Sequence, residues 1–140
     1  MRAAIITSSD SGYAKEREDK SGPVIVKMLE EAGYEIIESN ILPDEQKLLE
    51  NELIRLSDQR QVNLILTTGG TGFSERDRTP EATMTVATRL APGIAEAIRA
   101  GSMKITKRAM LSRETSVIRN KTLIVNLPGS PKAVAESLEL

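Results

Sequence analysis

The chain predicts an α/β domain in which a mostly parallel sheet lies between layers of helices. Three observations carry this reading. Short unbroken apolar runs suit strands buried on both faces, segments of helical apolar spacing alternate with them, and 140 residues suffice for one core but not for two.

The first run, Ala3 to Ile6, ends at Thr7-Ser8-Ser9-Asp10 and reads as a buried strand followed by a polar loop. After the polar stretch from Ser11 to Lys20, the residues Ile25, Met28, Leu29 and Ala32 recur at helical spacing, with Ser21 as the candidate cap and Gly33 just past the end. Tyr34 to Leu42 is a second strand closed by Pro43, and its carboxyl end delivers Asp44. Asp44 opens a helix in which Leu49, Leu53 and Leu56 share a face, running to about Arg60. Val62 to Thr68, with Leu64-Ile65-Leu66 in a row, is a third strand that enters Gly69-Gly70-Thr71-Gly72 directly. Thr79-Pro80-Glu81 starts the next helix, because Thr can cap and Pro is favoured at the first helical position. Pro92-Gly93 breaks that stretch, and Ile94, Ala97, Ile98 and Gly101 begin another. Thr115 to Ile118 and Thr122 to Val125 read as strands joined at Asn120-Lys121, followed by the loop Asn126 to Pro131 and a last helix that starts near Pro131 and continues at Leu140. The hairpin turn also accounts for the sequon Asn120-Lys121-Thr122 without glycosylation.

Composition removes whole classes of chemistry. There is no Cys and no His, which excludes thiol nucleophiles, Ser-His and Cys-His pairs, disulfides, haem ligation by His and Cys/His zinc sites. Catalysis is left to carboxylates, hydroxyls, Lys, Arg, backbone amides or a hard metal ion. One Phe, two Tyr and no Trp offer no platform for stacking bases, and a net charge of −1 gives no pull toward nucleic acid. With no apolar run near the roughly 18 residues of a membrane helix and no signal-peptide core, the expected location is the cytoplasm, without membrane contact.

Ligands of such sheets bind beyond the carboxyl ends of the strands, which directs attention to three loops: at Asp44, at Gly69 to Thr79 and at Asn126 to Pro131. Glycines and threonines at 69 to 72 leave backbone amides uncovered and able to cradle a phosphate; the same glycines also suit a purely structural turn. Two familiar phosphate loops do not fit. A Walker loop needs Lys-Ser/Thr where Phe73-Ser74 stands, and a dinucleotide fingerprint needs a third Gly at Glu75 and a place after the first strand. Asp77 lies between Arg76 and Arg78, so its carboxylate should stay ionised and suit Mg²⁺ better than proton donation. As a structural residue it would be a helix-start charge beside solvated arginines. Asp44 has the same alternative as a helix cap.

Charge is unevenly spread. Residues 30 to 58 hold nine acidic and two basic side chains, and residues 99 to 121 hold seven basic and one acidic. The basic segment suits either attraction of a multiply charged anion such as a nucleotide or a solvated helix face or subunit contact.

Thr67-Thr68-Gly69-Gly70-Thr71-Gly72, then Arg76-Asp77-Arg78-Thr79-Pro80-Glu81-Ala82-Thr83, then Asn126-Leu127-Pro128-Gly129-Ser130-Pro131 closely resemble the MogA/MoaB family of molybdenum-cofactor biosynthesis proteins. Asp19-Lys20-Ser21-Gly22, Leu42-Pro43-Asp44-Glu45-Gln46, Pro92-Gly93 and Ser112-Arg113 extend the resemblance over essentially the whole chain.

The resemblance implies a three-layer α/β/α sandwich and a single molybdopterin-binding domain over 1–140 that lacks the C-terminal tail usual in the family. It implies a molybdopterin adenylyltransferase: the terminal phosphate of molybdopterin attacks the α-phosphate of Mg-ATP, and pyrophosphate leaves. The family's two acidic positions fall on Asp44 and Asp77, implied to be catalytic and to hold Mg²⁺. Thr68, Gly69, Gly70, Thr71, Gly72, Thr79, Pro128, Gly129 and Ser130 fall on substrate-binding positions. The implied partners are molybdopterin, ATP, further copies of the chain in a homotrimer or hexamer, and a molybdenum-insertion protein as downstream acceptor. The alternatives are a non-catalytic molybdopterin-binding or scaffold protein of the same fold and, more remotely, a nucleotide-binding protein for another phosphorylated ligand. Nucleotidyl transfer needs alignment and charge neutralisation more than covalent help, which suits a chain without Cys or His.

Overall fold

Ala3 to Ile6 are wholly buried in the first strand, β1 (Arg2–Ser8), which is paired on both sides. The structure, a computed structural model, describes residues 1–15 and 18–138. The expected polar stretch Ser11 to Lys20 and the last helix therefore each run partly outside the described residues, at 16–17 and 139–140. The other strands are β2 (Glu35–Leu42), β3 (Leu64–Thr68), β4 (Arg89–Leu90), β5 (Ser116–Arg119) and β6 (Thr122–Leu127). They form one sheet in the order β2-β1-β3-β6-β5-β4. The pairs among β2, β1, β3 and β6 are parallel, and β5 joins β6 and β4 antiparallel.

Side chains of a strand alternate between faces, and β1 divides accordingly. Ala4 and Ile6 belong to the cluster holding Leu49 and Leu53 of α3 (Gln46–Ile54) and Ala82 and Val86 of α4 (Thr79–Val86). Ala3 and Ile5 belong to the cluster holding Ile25 and Leu29 of α2 (Ser21–Glu31), Ile98 of α5 (Pro92–Met103) and Val134 of α6 (Pro131–Leu138). Helices thus cover both faces, giving the three layers. No helix among the described residues is long and apolar enough to cross a membrane.

Local chemistry differs from expectation at several ends. Ser21 does not cap α2: Asp19 Oδ1 accepts from the Ser21 and Gly22 N–H groups, and the Ser21 hydroxyl donates to the Gly129 carbonyl at 2.7 Å. The other end of α2 is as read. Gly33, at φ +93°, sends its N–H to Glu30 O while Tyr34 N–H reaches Leu29 O, the two bonds of a Schellman stop. The helix expected from Asp44 to Arg60 is α3 followed by a π-helical turn, Arg55–Gln59, with Asp44 outside it. Thr79 begins α4 but its hydroxyl caps nothing. β6 continues two residues past Val125, because Asn126 is a fully buried strand residue whose amide donates to Thr67 and Thr83 hydroxyls and accepts from Thr115 N–H. Three short pieces carry no apolar periodicity and escape sequence reading: α1 (Asp10–Tyr13), β4, and the 3₁₀ turn Lys107–Leu111. Asn120 takes φ +52° in the hairpin turn, as a hairpin turn residue should.

On the edge strand β2, Glu38 accepts two guanidinium bonds from Arg55 at 3.0 and 2.6 Å and lies 3.0 Å from Arg60 Nε. The Arg55 bonds, helped by the Asn40 amide, pull the Glu38 pKa down to about 2. Because the folded value is depressed, the pair stabilises fully above the ordinary glutamate value of about 4.3, and this stabilisation is lost as pH falls from there toward the folded value. Glu38→Gln should therefore flatten the acid limb of stability between about pH 5 and pH 2, measured by thermal melting followed by circular dichroism. An acid limb as steep as that of the parent chain would remove Glu38 from the account.

Candidate active site

The carboxyl ends of β1, β2, β3 and β6 bring four loops to one edge of the sheet. Parallel pairing places Thr68 beside Leu127, and the bonds continue past the strands: Gly69 N–H reaches Leu127 O at 3.3 Å and the Thr68 hydroxyl donates to Pro128 O at 2.5 Å. The loops after β3 and β6 then meet backbone to backbone. A Cβ on Gly129 would stand 3.4 Å from Gly69 Cα, and a Cβ on Gly69, at φ +88°, would run into the Ser8 carbonyl oxygen. A Cβ on Gly70, at φ +70°, would likewise run into the Thr79 hydroxyl. Close approach and left-handed backbone, not flexibility, are what these glycines supply.

Between the loops opens a cavity of about 790 Å³. Thr68, Gly69, Gly129 and Ser130 line it, as do Ser8 and Ser9 after β1 and Glu18, Asp19, Lys20 and Ser21 at the start of α2. Asp19 Oδ2 accepts from the Thr7 hydroxyl at 3.0 Å, while its other oxygen caps α2, so this carboxylate is held on three sides. Ser130 caps α6, its hydroxyl accepting from Ala133 N–H at 3.1 Å.

Asp44 stands just beyond β2. Its Oδ1 accepts from the Ser8 hydroxyl and its Oδ2 from Asp10 N–H at 3.1 Å, so it braces the loop after β1 and does not cap α3. Asp77 Oδ2 accepts from Ser74 N–H at 3.0 Å, in a turn that Gly72 makes possible, since a Cβ there would meet that carboxylate. The arginines beside Asp77 in sequence do not act as expected: Arg76 turns away to Asp10, at 2.8 and 3.0 Å. Arg113 serves instead, donating to the carbonyls of Gly72 and Asp77, both at 2.7 Å, and to Glu81 Oε2, while its own N–H reaches Thr71 O. One guanidinium closes both ends of the Gly72–Asp77 turn.

The expected residues therefore divide into groups. Thr68, Gly69, Gly129 and Ser130 face the cavity; Pro128 contributes the carbonyl that Thr68 holds. Thr71 and Thr79 are buried, and the Thr79 hydroxyl has no partner. Asp44 and Asp77, on separate loops, do not line the cavity: Asp44 is bonded to Ser8 in its wall, and Asp77 is turned to Ser74 N–H beside Gly72. Among the described residues no three Asp or Glu side chains gather to hold a metal, so a cation here would need oxygens from a bound phosphate, which is how Mg²⁺ is commonly held. Sequence reasoning missed Ser8, Ser9, Glu18 and Lys20, although the carboxyl-end rule, applied to β1 as well, points to the first two. The basic segment 99 to 121 does not line the cavity. Arg99 holds the Ser112 and Glu114 carbonyls, Arg113 the glycine turn and Arg119 Asp58, and the other four cations are exposed.

Comparison with known proteins matches residues 4–140 to the family described as "Probable molybdopterin binding domain". The chain belongs to this family. Among its curated relatives, molybdopterin adenylyltransferase of Helicobacter pylori J99 is 43% identical over 99% of this chain and 80% of its own length. The protein of that name in Escherichia coli K12 is 41% identical over 99% of this chain and 72% of its own. Of solved structures in the molybdopterin-binding family, the molybdopterin biosynthesis enzyme MoaB of Thermus thermophilus is 44% identical, with a TM-score of 0.91 over 99% of this chain and 87% of that one. The tungsten cofactor synthesizing protein MoaB of Pyrococcus furiosus is 34% identical, with a TM-score of 0.86 over 99% and 88%.

Proposed function

We propose that the chain is a molybdopterin adenylyltransferase of molybdenum cofactor biosynthesis. The observation that carries this is a cavity walled by Gly69 and Gly129 at the carboxyl ends of the parallel strands, in a chain 41–43% identical over nearly its whole length to enzymes of that name. The terminal phosphate oxygen of molybdopterin forms a bond to the α-phosphorus of ATP, the bond to the β-phosphate breaks, and pyrophosphate leaves. The protein's task is alignment and charge neutralisation. Gly70, Thr71 and Gly72 N–H groups donate to no acceptor among the described residues, which leaves three successive amides for a phosphate. Ser130 and the Pro128-Gly129 turn contact the pterin or its phosphate from the opposite loop. Asp44 and Asp77 would hold Mg²⁺, which when bound neutralises phosphate charge.

On this reading residues 1–140 act as one domain in a cytoplasmic homotrimer or hexamer and pass the product to a molybdenum-insertion protein. The test is pyrophosphate release from Mg-ATP that depends on oxygen-free molybdopterin. Asp44→Asn should lower turnover roughly 100-fold and leave pterin affinity unchanged; undiminished turnover would remove Asp44 from the site. A chain that binds molybdopterin but releases no pyrophosphate is a carrier, not an enzyme.

A further inference from the structure

Two residues outside the machinery just described, Asp10 and Arg76, connect its two carboxylates. Arg76, in the loop after β3, forks onto Asp10 in the loop after β1, Nε to Oδ2 at 3.0 Å and Nη2 to Oδ1 at 2.8 Å. Asp10 in turn exchanges two bonds with Asp44 beyond β2: its N–H reaches Asp44 Oδ2 at 3.1 Å, and Asp44 N–H reaches Asp10 Oδ1 at 2.9 Å. Arg76 is covalently followed by Asp77. An unbroken path of bonds therefore runs from Asp44 through Asp10 and Arg76 to Asp77 and crosses three loops.

Magnitude separates the possible roles of this path. The Arg76 and Asp10 side chains are 56% and 46% exposed, and an ion pair so placed contributes about 1 kcal/mol or less to stability. The loops are also anchored independently: Ser9 N–H bonds Leu42 O after β1, and Arg113 grips the turn that carries Asp77. The fork is thus weak as a fastening of the fold. Its bidentate geometry nevertheless fixes distance and orientation between the two loops, and sub-ångström placement of reacting groups governs rate.

Resting on the adenylyltransferase reading, we propose that the Arg76–Asp10 pair is a positioning device that sets the separation of Asp44 and Asp77, and that neither residue of the pair touches substrate. The test compares Arg76→Gln, Asp10→Asn and the double variant with the parent chain in the oxygen-free pyrophosphate assay. Each single variant should lower kcat about tenfold, with KM for ATP and the melting temperature unchanged, and the double variant should be no slower than either single one. Multiplying losses would overturn the proposal. So would undiminished single variants, or a rise in KM alone, which would make Arg76 a phosphate contact. A melting temperature that falls in step with the rate would make the pair structural and overturn it equally. Asp44→Asn and Asp77→Asn in the same assay separate the two levels: if they are fully active the adenylyltransferase site assignment falls, and if they are inactive while Arg76→Gln is not, only the positioning role falls.

Discussion

Asp77→Ala is expected to abolish adenylylation and leave the fold intact. The Asp77 carboxylate makes one local bond, to Ser74 N–H, whereas its turn is held through backbone carbonyls by Arg113. Removing the carboxylate thus leaves the fastening in place. What disappears is a negative group on the glycine turn where the phosphates of ATP are proposed to lie, and losing one such electrostatic contact in a transition state costs on the order of 10²–10³ in rate. Pyrophosphate release, measured without oxygen beside a thermal melt, gives both readouts. An active variant would take Asp77 out of the site, and an inactive one with a lowered melting temperature would show that the turn depends on the side chain after all.

Gly69→Ala is the second large effect, and here fold and function should fail together. The new methyl group would meet the Ser8 carbonyl, which is backbone and cannot rotate aside, and the residue would have to keep φ +88°. Overpacking contributes about 1–3 kcal/mol and left-handed strain about 1 kcal/mol more. Relief requires parting the loops after β1 and β3, which border the cavity, so molybdopterin affinity should fall along with melting temperature. Calorimetric titration with molybdopterin and a thermal melt would test this. Unchanged values in both would mean that the loops lie further apart than described.

The central strands β1 and β3 were legible because a strand buried on both faces needs an unbroken apolar run, as Ala3 to Ile6 and Ile65-Leu66 show. β4 was not, since Arg89 and Leu90 are both exposed and pair only with β5. Capping depends on tertiary surroundings that the sequence does not display. Ser21 spends its hydroxyl on Gly129, leaving Asp19 to cap α2, and the Thr79 hydroxyl is buried without a partner, where a Cβ on Gly70 would stand. The glycine and Pro-Gly loops of the site could be located because turn chemistry is local. The partners of Asp77 could not: Arg76 finds Asp10, 66 residues away, and the guanidinium that does reach the Asp77 backbone comes from Arg113, 36 residues on.

The bond from the Ser21 hydroxyl to Gly129 joins residues 108 apart, and that from Thr68 to Pro128 joins residues 60 apart. The cavity is therefore walled by segments more than a hundred residues apart in the sequence. During synthesis no emerging fragment that ends before Gly129 can hold a complete cavity, and contacts of such long sequence separation are slow to form. The cavity's walls come together only when β6 pairs with β3 in the middle of the sheet, so the site is absent from the unfolded chain. A ligand seated there should thus protect amides throughout the sheet from solvent exchange, well beyond those it covers, by an amount set by its concentration relative to Kd.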